Sequence, residues 1–253
     1  MAIGKILTNK KYSGFIWHLL FAGLFIGLSL LFLEFTEGVK WYLISAALRI
    51  IFGTAILIVS SQLFDRKISE ILSFKNTKGA ILAGVGFLLY FVYYFITVVS
   101  GVGEITGLTA GIFLTRIILQ QASTGFYEEM NYRFLLLEGL KYTRNDIGMK
   151  ILFVMVSTVL FGLLHCVTGW DTYTFLLTGA IGFAFAVIFV KSGNIVVPMI
   201  LHFIYDIFAN MAEFIKWNHN TIFDNASSIF EIMLVIMFVV SFVILLIPQK
   251  QTD

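Results

Sequence analysis

Long apolar runs separated by short polar segments organise the whole chain. A helix needs roughly 20 apolar residues to cross a hydrocarbon core about 30 Å thick, and about eight runs approach or exceed that length. The runs are too long for strands, and unpaired backbone groups are costly in lipid, so we predict membrane helices. No linker or convincing repeat divides them, which predicts a single membrane domain of residues 1–253. The predicted spans are 14–35, 41–64, 79–100, 108–140, 147–167, 173–190, 195–215 and 228–247.

The composition excludes most soluble classes of protein. Hydrophobic residues make up 59% of the 253 residues and charged residues 13%, whereas a soluble domain has about 45–50% and about 25%. So few charged side chains cannot cover a water-facing surface, which excludes a soluble globule. Cys166 is the one cysteine, so no internal disulfide forms. The predicted fold class is all-α, a polytopic membrane protein of about eight transmembrane helices.

The basic residues of the loops predict an orientation. If the N-terminus is cytoplasmic, only Lys40 and Lys216 fall in outer segments, and a much larger set falls in inner segments. Cytoplasmic loops carry the excess of Lys and Arg, so both termini are predicted to be cytoplasmic. Many Ile, Phe, Lys and Asn residues with only 2 Pro favour a bacterial plasma membrane. The inner set is Lys5, Lys10, Lys11, Arg66, Lys67, Lys75, Lys78, Lys141, Arg144, Lys150, Lys191 and Lys250.

A group of ionisable residues lies inside the fourth apolar run. Glu129 and Arg133 are four residues apart, so they share a helix face and are predicted to pair. Glu128 points about 100° away and has no local cation. Burial is therefore expected to make this carboxylate a stronger proton acceptor, as a general base requires. The alternative is that all three lie at the cytoplasmic headgroups beside Lys141 and Arg144.

Two histidine motifs follow on later runs. Phe161 and His165 are four residues apart, and so are His202 and Asp206, which places each pair on one helix face. Asp206 is predicted to orient His202 and to set its tautomer. The alternative for each histidine alone is a packing role. Pro198, four residues before His202, either bends its helix or lies in the first turn.

The three motifs together resemble those of the CPBP (CAAX protease and bacteriocin-processing) intramembrane peptidases, also called the ABI family. Each motif alone is weakly specific, whereas their order and spacing together are strongly specific. The resemblance covers roughly residues 108–212, and the stretch 191–202 also resembles the family's approach to its third motif. In this chain the motifs read Glu128-Glu129-Met130-Asn131-Tyr132-Arg133, Phe161 to His165, and His202 to Asp206.

The resemblance implies an α-helical fold with a water-filled polar cavity among the later helices. It also implies hydrolysis of a peptide bond without a covalent acyl-enzyme. By position, Glu128 and His165 would be the catalytic residues that activate water, with His202 and Asp206 at the tetrahedral oxyanion. The supporting residues would be Glu129, Arg133 and Phe161.

Asp206 departs from the family, which often has Asn at this position. An amide donates a hydrogen bond to an oxyanion and an ionised carboxylate does not, so Asp206 is expected to act by orienting His202. Whether the site binds a metal ion stays open at this point. Two His and one Glu match the ligands of some zinc sites, but the usual His-Glu-x-x-His helix is absent. We favour no tightly bound metal, slightly, over a divalent ion such as zinc.

The fourth run is too long for a simple upright span. Its residues would measure about 50 Å at about 1.5 Å each, and straight helices would leave His165 near the outer face, away from His202. We therefore predict a kinked or interfacial connector over about residues 134–150 rather than a strongly tilted fifth helix. The site would then open toward the cytoplasmic half.

These observations predict an intramembrane endopeptidase that acts on a peptide or a membrane-anchored protein in the lipid bilayer, with no nucleic acid partner. The resemblance further suggests trimming of prenylated CAAX proteins or, in a bacterium, processing of a signal or bacteriocin-like peptide or immunity to one. The alternatives are a non-enzymatic membrane scaffold or immunity protein and a proton-coupled transporter, which no inverted repeat supports. A thiol protease is not favoured, because Cys166 and His165 point about 100° apart on a helix. The pattern does not predict the oligomeric state or the scissile bond.

Overall fold

The structure is a computed structural model that describes residues 8–142, 146–218 and 226–248. Helix α6 is continuous and consists of the stretches Ala110–Ile112, Phe113–Gln120, Gln121–Glu128 and Glu129–Leu135, of which the second and fourth are π-helical. The other described elements, in chain order, are α1 (Ser13–Leu33), α2 (Gly38–Phe64), α3 (Ile68–Ile71), α4 (Thr77–Ala83), α5 (Val85–Gly101), β1 (Val102–Ile105), α7 (Ile147–His165), α8 (Thr172–Ser192), α9 (Val196–Met211), β2 (Ile215–Trp217) and α10 (Ala226–Leu246).

Every predicted apolar run contains a helix. Among the described residues, six helices are long and apolar enough to cross a membrane, and a seventh span results if α4 and α5, bent by 69° where they join, count as one. Helix α6 fills the remaining predicted run, so the fold class, a polytopic all-α membrane protein, is confirmed. The predicted inner residues Lys5, Arg144 and Lys250 lie outside the described part of the chain.

The second half of α6 lies in the interior of the protein. Every residue from 127 to 140 is buried, as expected of a helix that packs on all sides. A 3-10 turn, Glu138–Tyr142, follows it. The predicted connector over 134–150 is therefore confirmed only for this turn, because α6 stays helical through Leu135 and α7 begins at Ile147.

Helix α8 is the centre of the later part of the bundle. All of its residues from Gly179 to Phe189 are buried, and the helix packs against α7, α10 and α4. Helix α2 packs against α1 and against α6. These contacts place α6 between the early helices and the late ones, so the ionisable residues of α6 face partners from both.

Ion pairs join the segments that precede α1, follow α2 and follow α6, and they lie at one end of the bundle, which we call the basic end. Lys10 pairs with Asp65. Arg66 and Lys141 both pair with the buried carboxylate of Glu138, at 3.0 Å and 2.8 Å.

A short antiparallel sheet that the sequence did not predict lies at the opposite end of the helices. Strand β1 follows α5 and pairs with β2, which follows α9, and Ile105 lies opposite Ile215. The two ends of the bundle therefore differ in structure as well as in charge.

The start of α9 is set by the turn before it. Gly193 has a φ of +68°, which ends α8 in the left-handed region. The side chain of Asn194 accepts a hydrogen bond from the Val197 amide at 3.0 Å and donates one to the Lys75 carbonyl at 2.7 Å. Because α9 begins at Val196, Pro198 lies in the first turn, where its missing N–H costs nothing. The predicted bend at Pro198 is therefore wrong, and the alternative is confirmed.

Candidate active site

His202 lies among three carboxyl groups that come from two helices. Its Nδ1 donates a hydrogen bond to Glu129 Oε1 at 2.9 Å. Its Nε2 lies 3.7 Å from Glu128 Oε2 and 3.5 Å from Asp206 Oδ2. The exposed fractions of His202, Glu128 and Glu129 are 4%, 5% and 0%. The short bond that orients the ring thus comes from Glu129, whereas the sequence had assigned this role to Asp206.

A glycine allows the two helices that carry this group to approach each other. A Cβ on Gly125 of α6 would lie 2.9 Å from the Met199 carbonyl oxygen of α9 and 3.7 Å from the Cβ of His202. Only a residue without a side chain leaves α9 close enough for His202 to reach the α6 carboxylates.

The charges of the group constrain its protons. Because Nδ1 of His202 already donates to Glu129, Nε2 faces the two other carboxyl groups favourably only if it also carries a proton. His202 is then an imidazolium, and with Arg133 it partly balances the charge of Glu128, Glu129 and Asp206. A cation beside buried carboxylates suits a site that stabilises a developing negative charge.

Arg133 is wholly buried between a carboxylate and an aromatic ring. Its Nε lies 3.3 Å from Glu129 Oε2, which confirms the predicted pair. Its guanidinium carbon lies 4.0 Å from the ring centroid of Phe161, a cation–π contact. The ring of Phe161 in turn lies 6.0 Å from that of His202. Glu129, Arg133 and Phe161 therefore lie in contact beside His202, and their supporting role stays a prediction.

We expect Gly182→Ala to destabilise this packing. The new Cβ would lie 2.7 Å from Phe161 Cδ1 and 3.1 Å from an Arg133 Nη atom, so the ring has to move. Overpacking of this kind costs about 1–3 kcal/mol. The measurement is the shift in melting temperature of the purified protein. Gly27→Ala is the control, because nothing lies within 4 Å of a Cβ at that position. Equal melting temperatures for the two variants would contradict the expectation.

His165 enters the site through a cavity rather than by direct contact with His202. Its Nδ1 donates a hydrogen bond to the Phe161 carbonyl at 2.9 Å, which leaves Nε2 as the acceptor in the neutral ring. The ring of Phe161 contacts that of His165 at 4.6 Å, between centroids. His165 and Glu128 line the same cavity of about 260 Å³. The structure thus brings His165 to the cavity that Glu128 also lines.

Arg49 lines this cavity as well, and sequence reasoning assigned it no role. It comes from α2, outside the stretch that carries the motifs. The available signal was a lone arginine inside an apolar run, which is rare in membrane helices because burial of its charge is costly.

The cavity opens at the end of the bundle that lies away from the basic end. Its rim includes Leu33 at the end of α1, Trp41 near the start of α2, and Val167 just after α7. The charge pattern predicts that these segments face the outside. The predicted opening toward the cytoplasmic half is therefore wrong relative to that topology.

The residues of the site do not form a metal centre. Among the residues that the structure describes, no three His, Cys, Asp or Glu side chains are arranged to hold a metal ion. The Nδ1 hydrogen bonds of His202 and His165 leave both Nε2 atoms available as ligands, so it is the arrangement of the side chains, and not their donor types, that does not match a metal site. The side chains present do not fit a zinc site of the usual type, and no step below uses a metal.

One comparison with known proteins connects this geometry to a family. Residues 110–208 match the model of the family described as type II CAAX prenyl endopeptidase Rce1-like. No curated protein and no solved structure matches the chain. The matched stretch contains the residues from Glu128 to Asp206 that form the site, and the apolar helices around it are those of an integral membrane protein. Residues 110–208 of the chain are thus similar to the Rce1-like CAAX endopeptidase family, which is consistent with the CPBP family that its motifs resemble.

Proposed function

We propose that the protein is an intramembrane endopeptidase in which Glu128 activates water for direct attack on a peptide bond. The observation that carries this proposal is the position of Glu128 Oε2. This oxygen is buried, makes no hydrogen bond within the described residues, and lies 3.7 Å from His202 Nε2. A carboxylate oxygen with free lone pairs beside a cavity can accept a proton from water.

The proposed reaction uses three side chains. Glu128, assisted by the acceptor Nε2 of His165, takes a proton from water, and the hydroxide oxygen bonds to the carbonyl carbon of the substrate. The carbonyl oxygen becomes an oxyanion, which the Nε2–H of His202 stabilises by a hydrogen bond. Glu128 then gives its proton to the amide nitrogen, the C–N bond breaks, and a carboxylic acid and an amine leave.

Asp206 supports this scheme as a carboxylate rather than as an oxyanion donor. Its Oδ2 lies 3.5 Å from Nε2 of His202, which favours the imidazolium form of the ring. In this scheme Asp206 acts through the charge of His202, and not by orienting the ring as the sequence predicted. Glu129 sets the orientation of the ring instead, through its bond to Nδ1.

The cavity favours a substrate with an apolar segment. Its walls include Phe25, Ile26, Leu30 and Leu164 beside the polar residues. We propose a peptide or a membrane-anchored protein as the substrate class, with a prenylated CAAX peptide as the form that the name of the matched family suggests. An apolar signal-type peptide is the second form to test.

The test compares two neighbouring residues at the end of α7. Purified protein in lipid nanodiscs is incubated with an S-farnesylated CAAX peptide and with an apolar signal-type peptide, and the products are identified by mass spectrometry. We expect His165→Ala to lower kcat by about 10²-fold or more, because it removes an acceptor from the water site. Cys166→Ala should leave kcat unchanged, because the hydrogen bond of the thiol goes to the Asp171 carbonyl, at 3.5 Å, and not to a residue of the site.

Two outcomes would contradict the proposal. Binding of both peptides by the wild-type protein without cleavage would favour the non-enzymatic scaffold. Cleavage that survives His165→Ala but not Cys166→Ala would point to a thiol enzyme instead.

A further inference from the structure

Arg49 carries a charge into the middle of a membrane helix. It lies eleven residues after the first residue of α2, Gly38, or about 16 Å along the helix axis. A charged side chain at such a depth is costly, and it normally faces a partner of opposite charge or a water-filled cavity. The contacts of Arg49 therefore show what kind of group it serves.

The protein itself gives Arg49 an incomplete set of partners. Its Nη1 donates to the hydroxyl of Ser45 and, at 3.4 Å, to the Ser45 carbonyl. Its guanidinium carbon lies 5.3 Å from the ring centroid of Phe25. Its Nε is buried without a hydrogen-bond partner, and within the described ranges no carboxylate forms an ion pair with it, although the charge of Glu128 in the same cavity acts on it. Arg49 therefore retains donors for an anion from outside the chain.

The two other arginines of the apolar runs have protein partners. Arg116 pairs with Glu213 at 2.5 Å, and Arg133 pairs with Glu129 at 3.3 Å. Burial of the charge is costly for all three arginines, so the difference in their ion-pair partners is informative. Of these three, Arg49 alone lines the cavity without an ion pair among the described residues, and Glu128 acts on its charge from the same cavity.

The cavity determines which anion suits Arg49. It also contains Glu128 and His165, so an anion bound at Arg49 would lie in the same space as the reacting groups. Its walls are mainly apolar, which excludes a strongly hydrated ion and favours a charged group at the end of an apolar chain. The planar guanidinium matches a carboxylate, which it can bind by two parallel hydrogen bonds.

We propose that Arg49 binds the free C-terminal carboxylate of an apolar peptide, so that the protein takes its substrate by the C-terminal end. The identity of the peptide rests on the proposed function. Arg49 is then a substrate-binding and specificity-determining residue that lies outside the motifs. Peptides whose terminal carboxylate is converted to an amide should bind more weakly.

The test measures binding and does not read cleavage. The probe is N-acetyl-Val-Ile-Leu, as the free acid and as the C-terminal amide, titrated calorimetrically into the protein in nanodiscs. We expect the acid to bind the wild-type protein about tenfold more tightly or better, the usual effect of a hydrogen bond to a charged group. Arg49→Met should abolish this preference while leaving the affinity for the amide unchanged.

Two further variants make the result interpretable. Arg116→Met is the matched control and should keep the preference for the acid, since Arg116 pairs with Glu213 outside the cavity. If Arg49→Met does not yield monodisperse protein, Arg49→Gln replaces it, because it retains hydrogen bonding to Ser45 without the charge.

The proposal is overturned if the wild-type protein binds acid and amide equally, or if it binds neither. It is also overturned if the preference survives the loss of the Arg49 charge. Absence of hydrolysis in the cleavage assay would instead count against the proposed function alone, because the tripeptide experiment reads affinity only.

Discussion

Glu128→Gln is expected to abolish peptide cleavage while the protein keeps its fold and its melting temperature. The amide has the shape of the carboxylate but cannot accept a proton from water. General base catalysis contributes about 10²–10⁴-fold, so kcat should fall by a factor in this range. The measurement is the initial rate of product formation in nanodiscs at saturating peptide, compared with the wild-type rate.

The structure gives a reason to expect that the fold survives this change. Glu128 Oε2 makes no hydrogen bond within the described part of the chain, and its nearest ion-pair contact, with His202, is 3.7 Å long. Little binding energy is therefore lost when the charge is removed. Glu213→Gln is the matched control, because this exposed residue pairs with Arg116 and should leave kcat as it is. Full activity of Glu128→Gln would remove Glu128 from the proposed mechanism.

Arg133→Met is expected to cause the largest loss of stability. Arg133 is completely buried, and its removal takes away the cation that pairs with Glu129, so that His202 and Arg49 are left to balance three carboxyl groups. Breaking a buried ion pair by removing one partner costs about 3–5 kcal/mol, because the remaining charge is uncompensated. The cation–π contact with Phe161 is lost as well. The melting temperature in detergent or nanodiscs should fall accordingly.

A double variant separates charge from packing in this prediction. Adding Glu129→Gln to Arg133→Met removes the charge that was left without its partner, so the double variant should be more stable than Arg133→Met alone. The cost of the lost contact with Phe161 should remain in both. A double variant as unstable as the single one, or less stable, would show that packing rather than the buried charge dominates.

Much of the site was predictable because its signals are local. The Glu129–Arg133 pair follows from a spacing of four residues along one helix. The structure places Arg133 Nε 3.3 Å from Glu129 Oε2. The same spacing brings Asp206 to 3.5 Å from His202. The order of the motifs brought Glu128, His165 and His202 into one hypothesis before any distance was known. Spacing within a helix determines such relations, since helix geometry is nearly constant.

Other features depended on how the helices pack, and spacing along the chain carries little information about that. The bond from Glu129 to His202 joins residues on α6 and α9, and it was missed in favour of Asp206. The position of Arg49 beside Glu128 was missed because α2 is far from the motifs in sequence, and only the packing of the helices brings the two residues into one cavity. The end at which the cavity opens was predicted wrongly for the same reason.

The sequence by itself determined that the chain spans a membrane as a bundle of helices, and it singled out the ionisable residues that form the site. Both conclusions rest on the cost of placing polar groups in lipid, which acts on each segment separately. Only the tertiary structure decided which nitrogen of His202 meets which carboxylate and that Arg49 joins Glu128 in one cavity. Those relations arise between helices, where close approaches such as that at Gly125 set the distances.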